Sequence, residues 1–104
     1  MPTGKLAAVD IPTPNTDTLL YTVPSSKKSV LSLCLTNRGL ANAAIRIALT
    51  TGSNVTDADY IAFDAVVYPK ESHERNGIVL TDGQRIYVRT DTATVNAVAW
   101  GYEE

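Results

Sequence analysis

The residues able to do chemistry are few and scattered. His73, the single histidine, lies in the run His73-Glu74-Arg75. A histidine acting as general base needs a nucleophile and an orienting partner within hydrogen-bond reach. The chain offers no Gly-x-Ser-x-Gly turn, and its one cysteine, Cys34, alternates with Leu33 and Leu35 as a strand residue does. Cys34 therefore reads as a small packed side chain with no activated thiolate, and His73 as a surface histidine in a polar strand. One histidine and one cysteine also exclude, within a single chain, an internal disulfide, a cysteine zinc cage and a two-histidine metal site. Asp57 and Asp59, with Asp64 close behind, form the one acidic cluster of note. Loop carboxylates can hold a hard divalent cation, but this run lacks the glycine turn and distal bidentate glutamate of a helix–loop–helix calcium site. A solvated turn is the expectation, with no metal and no cofactor.

Arg38, Arg46, Arg85 and Arg89 could build a basic face, and Arg85 and Arg89 share one side of a strand with Tyr87. Such interleaving of basic and aromatic residues serves single-stranded nucleic-acid platforms. The net charge of −2 opposes that use, because nucleic-acid binders carry a basic excess. Cross-strand or inter-subunit ion pairs are expected instead. Asn54-Val55-Thr56 has the form of a glycosylation acceptor, but Met1-Pro2-Thr3-Gly4 does not read as the start of a secretion signal, so the match is taken as chance. No apolar run approaches the ~20 residues of a membrane helix. Neither nucleic acid nor membrane is an expected partner.

The elements that would carry these residues are strands. At 104 residues, with 44% hydrophobic and 19% charged side chains, the chain has the length and composition of one folding domain. Threonine and valine are abundant and turn residues recur every 8 to 12 positions or so, the pattern of an all-β sandwich or barrel. Strands are expected over 5–11, 18–23, 29–36, 42–50, 60–63, 66–68, the 78–80 part of a mixed stretch 71–80, 85–89 and 94–102. Residues 29–36 put Leu31, Leu33 and Leu35 on one face and Val30, Ser32 and Cys34 on the other, which suits a central strand. Between Leu80 and Arg85, Thr81-Asp82-Gly83-Gln84 reads as the turn of an antiparallel hairpin, since Asp-Gly supplies positive φ. The last strand sets Val98, Trp100 and Tyr102 on one face and Val95, Ala97, Ala99 and Gly101 on the other. Small residues there imply close approach of another layer or another subunit. The expected architecture is a single-domain antiparallel β-sandwich of seven or eight strands over residues 16–104, with residues 1–15 as an N-terminal arm or edge strand. Free strand edges invite association, so an oligomer is expected.

Several blocks in succession carry a likeness. They are Leu19-Leu20-Tyr21-Thr22-Val23-Pro24, then Ser26-Lys27-Lys28 and a strand ending Cys34-Leu35-Thr36-Asn37-Arg38-Gly39. Ile45-Arg46-Ile47-Ala48, Asp59-Tyr60-Ile61, Glu74-Arg75-Asn76-Gly77-Ile78-Val79-Leu80 and Gly83-Gln84-Arg85-Ile86-Tyr87-Val88 follow, before the ending Trp100-Gly101-Tyr102-Glu103-Glu104. This order, spanning roughly residues 18 to 104, resembles small virion structural proteins of tailed bacteriophages, of the marine and cyanobacterial type. The resemblance implies an immunoglobulin-like or jelly-roll-like sandwich without enzymatic activity, placed in many copies on the particle exterior as a capsid decoration (cement) protein or a tail, neck or fibre accessory. It implies partners of two kinds: further copies of the chain, a trimer being one arrangement, and other virion proteins such as the major capsid or tail protein. It places the protein in the virion, and in the host cytoplasm during assembly. Assembly contacts are expected at Val98, Trp100 and Tyr102 and at the loop residues Asn54, Asp57, Asp59 and Tyr60, with core packing the competing role for Trp100. A carbohydrate or host-receptor module of a phage fibre or knob is the second reading, with Tyr60, Tyr68 or Trp100 as stacking platform and Asp57 and Asp59 as polar partners.

Overall fold

The computed structural model describes residues 3–104. Met1 and Pro2 of the expected N-terminal arm lie outside the described residues. Eight strands follow in order: β1 (Thr3–Asp10), β2 (Thr18–Thr22), β3 (Lys28–Asn37), β4 (Ala43–Thr50), β5 (Tyr60–Val67), β6 (Ser72–Thr81), β7 (Arg85–Thr90) and β8 (Val95–Glu103), with one 3-10 turn at Asp57–Asp59 before β5. They form two four-stranded antiparallel sheets, ordered β1-β8-β3-β6 and β2-β7-β4-β5. Within this arrangement β4 and β5 are the consecutive strands that pair; every other connection crosses between the sheets. That is the double Greek key of a jelly roll. An immunoglobulin sandwich pairs its first two strands and its fourth with its fifth in one sheet, so of the two expected sandwich types the jelly roll is the one adopted.

Alternation decides what is inside. Leu31, Leu33 and Leu35 of β3 are buried and meet Ile45 and Ile47 of β4, Ile86 and Val88 of β7, and Val95, Ala97 and Ala99 of β8 in one core. β3 is central in its sheet, between β8 and β6, as its apolar alternation predicts. Val95, Ala97 and Ala99 of the small face of β8 are fully buried toward the other sheet: alanine there lets the layers approach around the bulkier isoleucines, so the close neighbour is a layer of the same chain. Trp100 takes the other parity. It lies half-exposed on the outer side of the sheet, which removes core packing as its role.

Three departures from the sequence-based expectation share a cause in long-range pairing. The Asp82-Gly83 turn is not a hairpin. Gln84 N–H donates to Thr81 C=O at 2.9 Å, but only Gly83 has positive φ (77°), Asp82 being ordinary. Positive φ at the third position alone is a type II pattern, whose twist splays the flanking strands where the primed turns would pair them. β6 accordingly joins β3 while β7 joins β2 and β4. Second, the pieces expected at 60–63 and 66–68 are one strand, interrupted by a bulge: Ile45 pairs with Ala65 and Ile47 with Ala62, so Phe63 and Asp64 together face Arg46. Asp64 takes a left-handed φ of 53° there. Third, the whole of Ser72–Thr81 is strand, with Asn76 and Gly77 (φ 71°) bulged opposite Ser32. Bulges break the period-2 pattern without breaking the strand.

Asn37 closes β3 as a buried hub. Its side-chain amide donates to the carbonyls of Ala41 at 2.8 Å and Val67 at 3.0 Å, and its oxygen accepts from Gly39 N–H at 2.9 Å and Thr94 Oγ1 at 3.1 Å. One amide thereby satisfies four groups from three segments of chain, its full capacity of two donors and two acceptor lone pairs.

Candidate functional site

The outer face of the β1-β8-β3-β6 sheet brings apolar side chains into register. Tyr102 of β8 lies beside Val30 of β3, and Val30 beside Val79 of β6; Trp100 lies between Lys5 of β1 and Ser32 of β3; Val98 lies between Ala8 and Cys34. Val79 is 58% exposed and Tyr102 38%, while Val30, Cys34, Val98 and Trp100 are half-buried against one another. Charge lies at the rim, at Lys5, Asp10 and Glu74 and in the Lys28–Glu104 ion pair beyond Tyr102. An apolar centre holding two aromatics with a polar rim is the anatomy of a protein contact surface.

The structure thus groups the expected contact residues Val98, Trp100 and Tyr102 and adds Val30, Val79 and Ala8, which sequence reasoning did not select. The signal was available for Val30, which alternates with the buried leucines; Val79 was hidden by the bulge preceding it. Asn54, Asp57, Asp59 and Tyr60 do not join this surface. Asn54, Asp57 and Asp59 belong to the β4–β5 connection, and Tyr60 opens β5, in the other sheet. There Asp59 accepts from Thr56 N–H at 2.9 Å and Thr56 Oγ1 at 3.0 Å, a capping arrangement of the 3-10 turn. Asp64 is bound to Arg46 Nε at 2.7 Å. Asp59 and Asp64 are therefore engaged separately, one capping the 3-10 turn and one in an ion pair, while Asp57 opens that turn exposed.

The outer face of the β2-β7-β4-β5 sheet has a different character. The β5 bulge presents both Asp64 and Phe63 to Arg46, whose guanidinium lies 4.0 Å from the Phe63 ring centroid while Tyr60 meets the same ring edge-on at 4.9 Å. The hydrogen bond from Arg46 holds the Asp64 carboxyl below the usual carboxylate range, and the same bond raises the Arg46 guanidinium. Arg46 and Arg89 are register partners, a like-charge pairing that costs stability unless neutralised; Asp64 lies on the far side of Arg46, and Asp17 stands 3.8 Å from Arg89. Arg38 pairs with Asp10 at 2.5 Å. These acidic partners carry the ion-pair reading for Arg38, Arg46 and Arg89; Arg85 departs from it, donating to the Tyr87 hydroxyl at 3.4 Å with its Nε buried and without a partner among the described residues. A depression of about 30 Å³ between Asn15, Arg46, Asp64 and Arg89 has the volume of about one water molecule, against the ~300 Å³ and more of small-molecule sites.

His73 is not a surface histidine. Opposite Leu35, it points inward from edge strand β6, with Nε2 buried and without a hydrogen-bond partner among the described residues. Arg75, on the same side, reaches across to donate to the Ile61 carbonyl on β5, the edge of the other sheet. Inward polar groups on an edge strand discourage further pairing.

A second polar group spans the interior. A bulge at Leu20 turns both Leu20 and Tyr21 inward, and the Tyr21 hydroxyl meets Ser29 Oγ at 2.6 Å and donates to the Glu103 carboxylate. Ser29 and Glu103 are register partners across β3 and β8. Burial, then the hydrogen bond to Glu103, pushes the Tyr21 phenol up to about 12. Between pH 10 and about 12 the unfolded chain has lost this proton and the folded chain keeps it, so stability falls as pH rises through that window. The expected loss is about 1–3 kcal/mol. Chemical denaturation at stepped pH checks it: Tyr21→Phe should be less stable at neutral pH and should lose stability less steeply above pH 10 than the wild type.

No protein-family model and no curated protein matches the chain.

Proposed function

We propose that the chain is a non-enzymatic structural protein of a tailed-phage particle, acting by assembly on the virion exterior as a capsid decoration protein or a tail or neck accessory. The observation that carries this reading is the apolar outer face of the β1-β8-β3-β6 sheet, centred on Trp100 and Tyr102 and rimmed by charge. Its physical sense is direct. Two aromatics and three valines half-exposed on a rigid sheet cost solvation in a free monomer and stabilise whatever contact covers them. The rigid double layer beneath keeps them aligned without an ordering cost on binding. The likeness of residues 18 to 104 to virion proteins supports the same reading, and the jelly roll is a fold that viral capsid domains use. Other virion proteins, the major capsid or tail protein foremost, and further copies of the chain are the partners.

Mass spectrometry of purified particles of the phage carrying this gene tests the proposal. The expected result is stoichiometric incorporation, with hundreds of copies marking the head and tens or fewer the tail or neck. Absence from particles that are complete and infectious would overturn it.

The alternative, a glycan- or receptor-binding fibre module, draws on Tyr60, Tyr68 or Trp100 as stacking platform, with the exposed Phe63 beside Tyr60 on the second sheet. Tyr60 packs edge-on against Phe63, whose ring carries the Arg46 guanidinium over one face, and Trp100 belongs to the apolar face of the other sheet, so assembly is the better supported reading.

A further inference from the structure

The two sheets end in four strand edges, and three of them are blunted. β2 has five residues and a bulge at Leu20. β5 carries two register shifts and a left-handed Asp64. β6 carries the Asn76-Gly77 bulge and turns His73 and Arg75 inward. β1 differs: beyond its single irregularity at Leu6 it runs in unbroken register with β8 through Ala7, Ala8, Val9 and Asp10. Small and β-branched side chains leave the free side of this stretch open. An edge of that kind is a template for another strand.

We propose that β1 pairs antiparallel with β1 of a second copy about a two-fold axis at Ala8, joining two β1-β8-β3-β6 sheets into one of eight strands. The inference rests on the assembly reading above and names its copy-to-copy contact. Charge and parity select the axis. With Ala8 facing Ala8 on the outer side, Val9 meets Ala7 of the second copy on the inner side. Asp10 then meets the Lys5–Leu6 irregularity, where Lys5 shares its outer parity, since Lys5 registers with Trp100 and Asp10 with Asn96. Two Lys5–Asp10 contacts result, one on each side of the axis, each joining the Arg38–Asp10 ion pair already present within each copy. A shift of the axis to Val9 would set Asp10 against Ala8 and leave Lys5 unmatched. Pairing at Ala8 also places the two Val98–Trp100–Tyr102 rows on one continuous face, so the dimer presents twice the apolar surface to a lattice. Such an interface is isologous and closes on itself, leaving β6 as the terminal edge at either end.

Ala8 is exposed on the outer side, so charged substitutions there leave the core intact, and a thermal melt of each variant verifies it. The experiment is sedimentation equilibrium of the wild type, of Ala8→Lys, of Ala8→Glu and of their equal mixture. A dimeric wild type is expected, with self-association about a hundredfold weaker in each single variant because like charges meet at the axis, and dimer restored in the mixture. A wild type that stays monomeric up to its solubility limit overturns the proposal, as do single variants that dimerise like the wild type or a mixture that stays monomeric. Failure here is separable from failure of the assembly reading. A monomeric chain present in particles refutes only the β1 contact, and a β1 dimer absent from particles refutes only the virion role.

Discussion

Gly101→Ala is expected to destabilise the fold by about 3 kcal/mol or more, from steric overlap and backbone strain together. Gly101 lies mid-strand in β8 with φ of 151°. It is flanked by Gly4 of β1 and Leu31 of β3. A Cβ added there would overlap the Val30 carbonyl oxygen and stand 2.7 Å from the Leu31 Cα. Both obstacles are backbone of the central strand, which cannot rotate aside as a side-chain tip would. Relief requires β8 to move away from β3, and that movement disturbs Trp100 and Tyr102 on either side of the glycine as well as the Ser29–Glu103 pair. A melt by circular dichroism reads the loss as a fall in Tm of roughly 10–20 °C for a domain of this size. A variant melting with the wild type would mean that the sheet tolerates a wider β3–β8 spacing.

Asn37→Asp should cost about 3–5 kcal/mol, although the two side chains are nearly the same shape. The asparagine amide donates to two backbone carbonyls, of Ala41 and Val67, and its residue is fully buried. Replacing that NH2 with a carboxylate oxygen turns two donations into two repulsions and buries a charge beside two carbonyl dipoles. The Gly39 and Thr94 contacts survive, so the effect isolates the donor side of the hub. Urea denaturation at neutral pH measures it, and the variant should recover part of its stability as the pH is lowered and the new carboxyl takes up a proton. Loss of equal size at every pH would assign the effect to packing and not to charge.

How much of this was legible in the sequence follows the range of each interaction. Strands defined by alternation, such as Leu31-Ser32-Leu33-Cys34-Leu35 or Ile45-Arg46-Ile47, can be placed because burying one face is a local pattern. Which strand pairs with which is not local. Thr81-Asp82-Gly83-Gln84 has hairpin composition and still joins two sheets, since β3 offers β6 a longer partner than β7 could. Bulges at Phe63-Asp64 and Asn76-Gly77 shift parity by one residue, and that shift concealed the place of Val79 on the apolar outer face and the inward turn of His73. Asn37 looks like an ordinary turn residue until Val67 and Thr94, thirty and fifty-seven positions away, arrive beside it. The Val98, Trp100, Tyr102 row was legible because β8 is regular there. The loop group Asn54, Asp57, Asp59 and Tyr60 was selected on polarity alone, and polarity does not tell which sheet a loop caps.

Hydroxyl-radical footprinting of the chain in intact particles, compared with the free chain, tests the central claim most directly. The two sheets then serve as each other's control. Trp100, Tyr102 and Val79 should label several-fold less in the particle, while Phe63 and Tyr68 label as they do in solution. Equal labelling of Trp100 and Tyr102 in both states, or protection confined to Phe63 and Tyr60, would contradict assembly through the β1-β8-β3-β6 face.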